Sequence, residues 1–404
     1  RGAGWRHLAV AAGPGLVVML ADTEAGSVIT AAQSGALWGY RLVALQLVLV
    51  APLFMAQELA ARLGLGTGRG LVELVLRRYG RAAAMLLTAT LVTSCAGALV
   101  TELSGLAGVG QIFGIPVWRS TLLAATALLA IVWTGSYRSV ERIAIAAGLC
   151  ELAFIVLAWL ARPDPHVFAA QVFAFPLGAR SFRYLLAANV GTCVIPWALF
   201  YQQAASVDKH LGGADLGGAR TETLLGAVLC QVVTAAVVIA AAATFGPHAG
   251  RPLDKVGDIA GAFTAVAGTI AGHAVFALGL SGGALVASVV VCLTAAWALG
   301  EVMGAPRSLR ATPTEAPLFY GAFAAVLAAG GAIEASGVNL VGLAIALGVL
   351  NALLLPVVLF FLFRLARTAP PEALRLRGAY AMCVALVLSV TAGVGVLAGV
   401  LGAL

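Results

Sequence analysis

Two carboxylates lie inside an apolar stretch that is long enough to cross a lipid bilayer. Asp22 and Glu24 stand near the middle of residues 9–34, directly before Ala25 and Gly26. A charged side chain at the bilayer centre costs about 3 kcal/mol or more, so it is retained where it faces a cavity, a partner or a cation. The residue types and their spacing therefore predict a buried cation site, with Glu24 as the first ligand and Asp22 as the second.

The composition indicates which elements must position these acids. The chain has 404 residues, of which 61% are hydrophobic and 10% charged, whereas soluble domains carry about 25% charged residues. About 20 apolar residues at a rise of about 1.5 Å each cross a hydrocarbon core of about 30 Å. The sequence thus predicts an all-α polytopic membrane protein with a single transmembrane domain over residues 1–404. Eleven transmembrane helices are expected, near residues 9–34, 41–62, 82–112, 118–135, 143–161, 184–206, 222–245, 270–300, 317–335, 338–366 and 378–403.

The basic residues indicate how the chain is oriented. With a cytoplasmic N-terminus, 17 of the 24 Lys and Arg residues fall inside and 7 outside, in agreement with the positive-inside rule. The odd number of helices then puts the C-terminus outside. The net charge of +7 follows from this bias and from the anionic inner leaflet, so no nucleic-acid partner is expected. We expect an integral protein of a bacterial inner membrane.

Two of the predicted helices are interrupted at corresponding places. The first is broken at residues 25 and 26 beside the two acids, and the sixth between Gly191 and Pro196, where the proline removes a backbone donor and clashes with the preceding turn. Interrupted segments at matching positions of two halves indicate an inverted repeat with a binding site at the bilayer midplane. We expect repeat one over residues 9–161, repeat two over 184–366 and an extra helix at 378–403.

The unwound turns favour a cation. They free backbone carbonyl oxygens that hydrocarbon cannot satisfy, but that an aqueous cavity or a cation can. The C-terminal ends of the half-helices add partial negative charge at the same point. Together with two carboxylates, these groups suit a cation better than an anion.

Five stretches of sequence carry a family resemblance. They are Gly13-Pro14-Gly15 with Glu24-Ala25-Gly26-Ser27 downstream, Ala31-Ala32-Gln33-Ser34-Gly35-Ala36-Leu37-Trp38-Gly39-Tyr40, Ala61-Arg62-Leu63-Gly64-Leu65-Gly66-Thr67-Gly68, Phe113-Gly114-Ile115-Pro116, and residues 191–203 around Pro196. Together they resemble the Nramp family of divalent-metal transporters, and more closely its Nramp-related magnesium-transporter branch. The resemblance implies a LeuT-like 5+5 inverted repeat with discontinuous helices 1 and 6, and import of divalent cations by alternating access.

Where the chain departs from the family pattern, the resemblance implies a harder ion. Glu24 stands in place of the family's metal-binding Asp, Ser27 in place of its Asn, and Ile195 in place of its Met. Thioether sulfur favours transition metals, whereas carboxylate, hydroxyl, carbonyl and water suit Mg²⁺ or Mn²⁺. The implied substrate is therefore Mg²⁺, with Mn²⁺ as a second ion, and no resident cofactor is expected.

Further groups are expected to contact the ion from outside the carboxylates. Mg²⁺ gives up water reluctantly and usually binds through one or two carboxylates while it keeps several waters. The expected outer contacts are the hydroxyls of Thr23 and Ser27, the carbonyl of Thr192, and the side chains of Gln202 and Asn351. For Asn351, a hydrogen bond between helices is an equally good interpretation.

The resemblance also predicts that proton coupling is lost. Trp197 replaces the family's His in the sixth span, and Ala98 and Thr101 replace the acids of its proton path. Glu102 remains beside them, either as an acid of that path or as a packing carboxyl. Two charges that move inward through about 100 mV gain about 4–5 kcal/mol, which drives uptake without a proton. The alternative is a proton-coupled symporter of Mn²⁺ or Fe²⁺.

Two other intramembrane acids are assigned structural roles. Glu58 is expected either to snorkel toward the cytoplasmic face or to pair with Arg62 near the cytoplasmic end of the second helix. Glu151 is expected to pair with Arg142 or to stay protonated.

Other classes of protein remain as alternatives. An amino-acid or organic-solute transporter of the same fold would hold a carboxylate, which two acids beside the break repel. A channel would pass the same ions without saturation. An intramembrane enzyme would need a nucleophile with a base or a histidine-rich metal set, and the five histidines are scattered over termini, loops and helix ends. The six cysteines show no paired spacing and are interpreted as packing residues. The oligomeric state is open, with a monomer as the simplest expectation.

Overall fold

The computed structural model describes residues 14–133, 145–146, 148–245, 252–304, 314–334 and 339–404. Within these residues the secondary structure is helical, and no strand is formed. The α-helices of this part are α1 Pro14–Asp22, α2 Ala25–Trp38, α3 Val43–Thr67, α4 Leu71–Ile112, α5 Val117–Trp133, α6 Ala153–Leu160, α7 Pro165–Gln171, α8 Arg180–Cys193, α9 Pro196–Asp208, α10 Leu216–Phe245, α11 Val256–Ala267, α12 Thr269–Met303, α13 Pro317–Glu334, α14 Leu340–Ala366 and α15 Gly378–Ala403.

Every predicted span contains a helix within the described residues, and the all-helical membrane class is confirmed. Among the described residues, seven segments are long and apolar enough to cross a bilayer. The two helical pieces Leu149–Leu160 and Pro165–Gln171, bent by 111°, make an eighth if they are counted as one span. The remaining predicted spans contain shorter apolar helices, so eleven crossings stays a prediction. The seven segments are Ala25–Thr67, Leu71–Ile112, Arg180–Asp208, Gly213–Phe245, Thr269–Met303, Val341–Ala366 and Gly378–Ala403.

Both predicted helix breaks are present, but the first lies two residues earlier than expected. The helix stops after Asp22 and starts again at Ala25, so Thr23 and Glu24 form the break and residues 25 and 26 are already helical. The second break falls at Val194 and Ile195, inside the predicted interval. The first position was wrong because Gly26 was taken as the helix breaker, whereas Glu24 itself adopts the extended conformation.

The helix boundaries differ from the predicted spans mainly outside the apolar runs. α4 begins at Leu71 rather than near residue 82, because its first turns are rich in arginine and do not register as apolar. Gly80, at φ 84°, breaks this element into an arginine-rich arm and a long apolar helix. A left-handed φ of this kind suits glycine, which has no Cβ. The short helices α7 and α11 occupy connections that were predicted as loops.

Close backbone contacts set the positions of the helices that carry the breaks. α8 packs against α14, α2 against α10, and α4 against α12. A methyl group placed on Gly191 would overlap the carbonyl oxygen of Gly348, so the backbones of α8 and α14 touch directly. Small residues at such crossings let membrane helices approach closely. The second break is therefore held against α14 by glycine packing.

Candidate metal centre

The first break is a turn of extended backbone between α1 and α2. Glu24 has φ −72° and ψ 170° and is the N-cap residue of α2. Its carbonyl oxygen accepts hydrogen bonds from the amide of Val28, at 3.0 Å, and from the hydroxyl of Ser27, at 2.9 Å. The Ser27 hydrogen is therefore used within the turn, and its oxygen lone pairs remain for an ion or water.

The second break follows from the position of Pro196. Proline has no amide hydrogen, so the carbonyl of Thr192, four residues earlier, lacks its helical partner. The hydroxyl of Thr192 donates to the carbonyl of Ala188 at 3.0 Å, which leaves the backbone oxygen as the available ligand atom. The Ile195 side chain is fully buried and carries no donor atom.

The two first-ranked acids are buried without a basic partner among the described residues. Asp22 is 0% exposed and Glu24 3% exposed. Asp22 Oδ1 and Glu24 Oε2 have no hydrogen-bond partner, and neither carboxylate forms a salt bridge within the described part of the chain. A buried charge needs a partner or a metal ion to offset its lost hydration. A cation in this turn would offset the negative charge of the two carboxylates.

Glu102 of α4 joins the site, which the sequence interpretation left open. Its Oε2 accepts a hydrogen bond from the amide of Ala25 at 3.1 Å, and its carboxyl lies within hydrogen-bonding reach of that of Glu24. Two carboxyl groups in contact cannot both be ionised unless a cation lies between them. The signal that could have identified Glu102 is the one used for Asp22, an acid in the middle of an apolar run.

Glu151 approaches the turn from the other side. It is buried, and the Thr23 hydroxyl lies within hydrogen-bonding reach of its carboxyl. Gly283 of α12 closes the space, because a methyl group there would overlap the Thr23 carbonyl and lie 2.9 Å from Glu151 Oε1. Arg142, the predicted partner of Glu151, lies outside the described residues. The predicted pair of Glu58 and Arg62 is confirmed, with Arg62 Nε 3.1 Å from Glu58 Oε1.

Two neighbouring residues of α10, Cys230 and Gln231, contact the ends of both interrupted helices. Cys230 Sγ lies 3.7 Å from Asp22 Oδ2, and Gln231 Nε2 lies 3.0 Å from Cys193 Sγ and 3.8 Å from Cys230 Sγ. The end of α1 and the end of α8 thus meet the same stretch of α10. The cysteines had been interpreted as packing residues, and the structure adds that two of them lie beside a candidate ligand.

The two remaining candidates differ in their surroundings. Gln202 of α9 is buried, and its Oε1 has no hydrogen-bond partner. Asn351 Oδ1 accepts a hydrogen bond from Ser94 of α4 at 2.8 Å, which is the contact between helices given as its alternative interpretation. Direct contact of either side chain with the ion stays a prediction.

The donor set of the described residues suits a partly hydrated ion. No group of three or more His, Cys, Asp or Glu side chains in this part of the chain is arranged to hold a metal. The oxygen atoms gathered here belong to carboxylates, hydroxyls, a carbonyl and amides, which are donors that hard, partly hydrated ions prefer. A cavity of about 10 Å³ lined by Thr23, Glu151 and Cys230 gives space for about one water.

Two hydrogen bonds tie the interrupted first span to neighbouring elements. On one side, Glu222 Oε1 accepts a hydrogen bond from the amide of Leu16 at 2.8 Å, which ties α1 to α10. On the other, Gln33 Oε1 accepts from the amide of Leu253 at 2.8 Å, which ties α2 to the segment before α11. The helices on the two sides of the first break are thus tied to α10 and to the segment before α11.

Sequence comparison connects this arrangement to known proteins. The divalent metal cation transporter MntH of Ralstonia nicotianae is 29% identical over 299 residues, which are 69% of this chain and 66% of that protein. The metal transporter Nramp6 of Arabidopsis thaliana is 28% identical over 211 residues, which are 51% of this chain and 40% of that protein. The chain therefore spans just under two thirds of the bacterial relative and less than half of the plant one.

Structural comparison supports the fold. A crystal structure of a manganese transporter from Eremococcus coleocola matches with a TM-score of 0.76 over 98% of this chain and 87% of that chain, at 16% identity. The amino-acid complex of MhsT with L-phenylalanine matches with a TM-score of 0.64 over 96% and 98% of the two chains, at 14% identity. At these identities the likeness concerns architecture alone, and it confirms the LeuT-like fold.

The family model described as natural resistance-associated macrophage protein-like matches residues 15–400. Since this match covers nearly the whole chain, the protein belongs to the Nramp family, whose members are membrane transporters and not enzymes.

Proposed function

We propose that the protein carries divalent cations across the membrane by alternating access, with the ion held between the two helix breaks. The observation that carries the proposal is the pair of buried carboxylates, Asp22 and Glu24, that lack a basic partner among the described residues. A divalent cation supplies the missing positive charge. The names of the relatives, divalent metal cation transporter and metal transporter, support the same class of substrate.

We infer that Mg²⁺, and Mn²⁺ beside it, are the preferred ions. Ile195 offers no sulfur at the second break, while the available oxygens belong to carboxylates, hydroxyls, a carbonyl and an amide. Hard oxygen donors suit these two ions. The thiol of Cys230 beside Asp22 is the feature that would widen the range toward softer ions.

We further propose that uptake runs without a coupled proton, from outside to a cytoplasmic N-terminal side, in a bacterial inner membrane. Trp197, Ala98 and Thr101 cannot take up a proton at the positions where the family resemblance expects protonatable groups. The membrane potential is sufficient to drive a divalent cation inward.

A proton-coupled symporter of Mn²⁺ or Fe²⁺ is the second candidate, because one observation favours it. Glu102 lies in contact with Glu24, so a proton shared by these two carboxyls can replace the positive charge of the cation after it leaves. A pH-sensitive dye inside proteoliposomes separates the two functions. Uncoupled transport predicts no acidification during metal uptake, whereas acidification in proportion to uptake would establish the symporter.

The metal centre itself is tested by Glu24→Gln in proteoliposomes with an imposed inside-negative potential. We expect saturable Mg²⁺ and Mn²⁺ uptake to fall to the level of protein-free vesicles, because the substitution removes one of the two charges that face the ion. The matched control is Glu372→Gln, an exposed acid that pairs with Arg377 away from the centre. Unchanged uptake by the Glu24 variant would refute the assignment.

A further inference from the structure

An open cavity of about 630 Å³ lies away from the candidate metal centre. It is bounded by the end of α3, the first turns of α4, the end of α14 and the segment that leads to α15. Four arginines line it, and no acid appears in its lining among the described residues. These arginines are Arg69, Arg77, Arg78 and Arg375.

The positive charge of this cavity is only partly offset. Glu73, behind the lining, lies 3.0 Å from Arg77 and 3.5 Å from Arg69. Glu372 lies close enough to Arg375 to interact with its charge, so two carboxylates stand against four guanidinium groups and a net positive charge remains. Arg375 is held in place because its Nε donates to the carbonyl of Pro370 at 3.0 Å. The cavity therefore presents positioned cationic groups rather than a loose surface cluster.

The chemistry of the lining selects a phosphate group. Guanidinium forks match phosphate oxygens in geometry and in charge, often with two hydrogen bonds to one group. The rest of the lining includes Leu74, Leu365 and prolines 370 and 371, which suit methylene groups more than free solvent ions. A ligand that joins an anionic phosphate to an apolar part fits both halves of the cavity.

The predicted orientation of the chain favours a membrane lipid as the source of the phosphate group. All four arginines belong to the set that the charge bias assigns to the cytoplasmic side. Anionic lipids are concentrated in that leaflet, and basic pockets between transmembrane helices on this side bind their headgroups.

We propose that this cavity is a binding site for the phosphate group of an anionic phospholipid, independent of the transport function. The arginines hold the phosphate, and Leu74 and Leu365 contact the glycerol and the first methylenes of the acyl chains. A second source of the same chemistry is free phosphate in the cytoplasm, and the two are distinguished by experiment.

The test is native mass spectrometry of the detergent-purified full chain, titrated with short-chain phosphatidylglycerol, with phosphatidylcholine of the same chain length, or with inorganic phosphate. We expect phosphatidylglycerol to bind more tightly than the zwitterionic lipid. Arg78→Gln and Arg375→Gln should each weaken phosphatidylglycerol binding about fivefold, the loss that corresponds to about 1 kcal/mol per basic residue near an anionic surface. Inorganic phosphate should compete only weakly.

The matched control is Arg364→Gln, which removes the same charge from α14 beside Leu365 but outside the cavity lining. Equal losses in the control and cavity variants, or no loss in Arg78→Gln, would overturn the proposal. Inorganic phosphate that binds as tightly as the lipid would overturn the lipid source and retain only the phosphate chemistry. Because Arg375 also holds the segment at Pro370, its variant is interpreted only if its melting temperature equals that of the control.

Discussion

At the scale of single residues, Glu24 and Glu102 have different positions at the start of α2. Glu24 is the N-cap of α2, yet its side chain makes no capping hydrogen bond. The amide of Ala25 is taken instead by Glu102 from the neighbouring helix α4. Each of the two carboxyls keeps one oxygen without a partner. Glu24 therefore keeps one carboxylate oxygen available for the proposed ion, while Glu102 accepts the first amide of the helix.

Glu102→Gln tests whether the second carboxyl also acts on the ion. The amide oxygen of glutamine can still accept the hydrogen bond from Ala25, so the fold should be kept while one charge is lost. We expect Mg²⁺ affinity to fall about tenfold or more, the usual cost of losing a group that supports metal ligands. Isothermal titration of the purified protein measures it, with Glu372→Gln as the control. Equal affinity in both variants would limit Glu102 to a helix cap.

Ile195→Met tests the argument on the choice of ion. A methionine at this position puts a thioether at the second break, and soft donors favour softer ions. We expect calorimetry to show that Cd²⁺ and Mn²⁺ bind more tightly relative to Mg²⁺. No shift in the ratio would count against the role assigned to residue 195.

The converse variant is Cys230→Ser, which replaces the sulfur 3.7 Å from Asp22 by an oxygen. If that thiol contributes to binding, Cd²⁺ should weaken while Mg²⁺ changes little. The exposed Cys383 provides the control as Cys383→Ser. A loss of Mg²⁺ binding as large as that of Cd²⁺ would indicate disturbed packing rather than a lost soft donor.

At the scale of helices, the breaks depend on the local sequence and also on contacts with residues far away in the chain. Pro196 begins α9 directly after the second break, so that break could be predicted from the residues around it, although Pro52 and Pro356 lie inside α3 and α14. The first break could be placed only approximately, because its exact position depends on Glu102, 77 residues away, and on Gly283 of α12. Contacts across such separations leave no periodic pattern in the chain, which is why they were not foreseen.

Gly283→Ala tests this packing. Its methyl group would overlap the carbonyl oxygen of Thr23, so either α12 or the turn must move. We expect weaker ion binding and a lower melting temperature. Overpacking a close contact costs about 1–3 kcal/mol. Gly393→Ala in α15 is the control, because nothing lies within 4 Å of its added methyl group. A Gly283 variant as stable and as active as the control would show that the turn tolerates displacement.

At the scale of the whole molecule, the all-helical membrane class could be predicted from the composition and from the length of the apolar runs. The interruption of the first and sixth helices could be predicted from the acids, glycines and proline at those places. The assembly of the centre does not, since Asp22 meets Cys230 over a separation of 208 residues. The short helices α7 and α11 were also missed, because segments of 7 and 12 residues are too brief to stand out as apolar runs. The pattern of apolar residues along the chain does not indicate which helices lie next to each other.

Gln33→Ala tests the contact that ties α2 to the segment before α11. The substitution removes the acceptor of the Leu253 amide, and a lost hydrogen bond of about 1 kcal/mol corresponds to about a fivefold rise in the open population. Hydrogen exchange over residues 252–267 should accelerate accordingly. Thr126→Val, which removes a hydrogen bond within one exposed helical turn, should leave that segment unchanged. Equal exchange in the two variants would show that the Gln33 contact does not stabilise this segment.

The direct backbone contact of Gly191 with Gly348 limits how such a molecule can open. Two helices that touch through their main chains cannot slide past one another without losing that fit, so we expect α8 and α14 to move together. The bend should fall at Val194 and Ile195, because Pro196 leaves the carbonyl of Thr192 without its helical partner. α8 would then move with its glycine-packed neighbour, while α9 and Gln202 keep their positions.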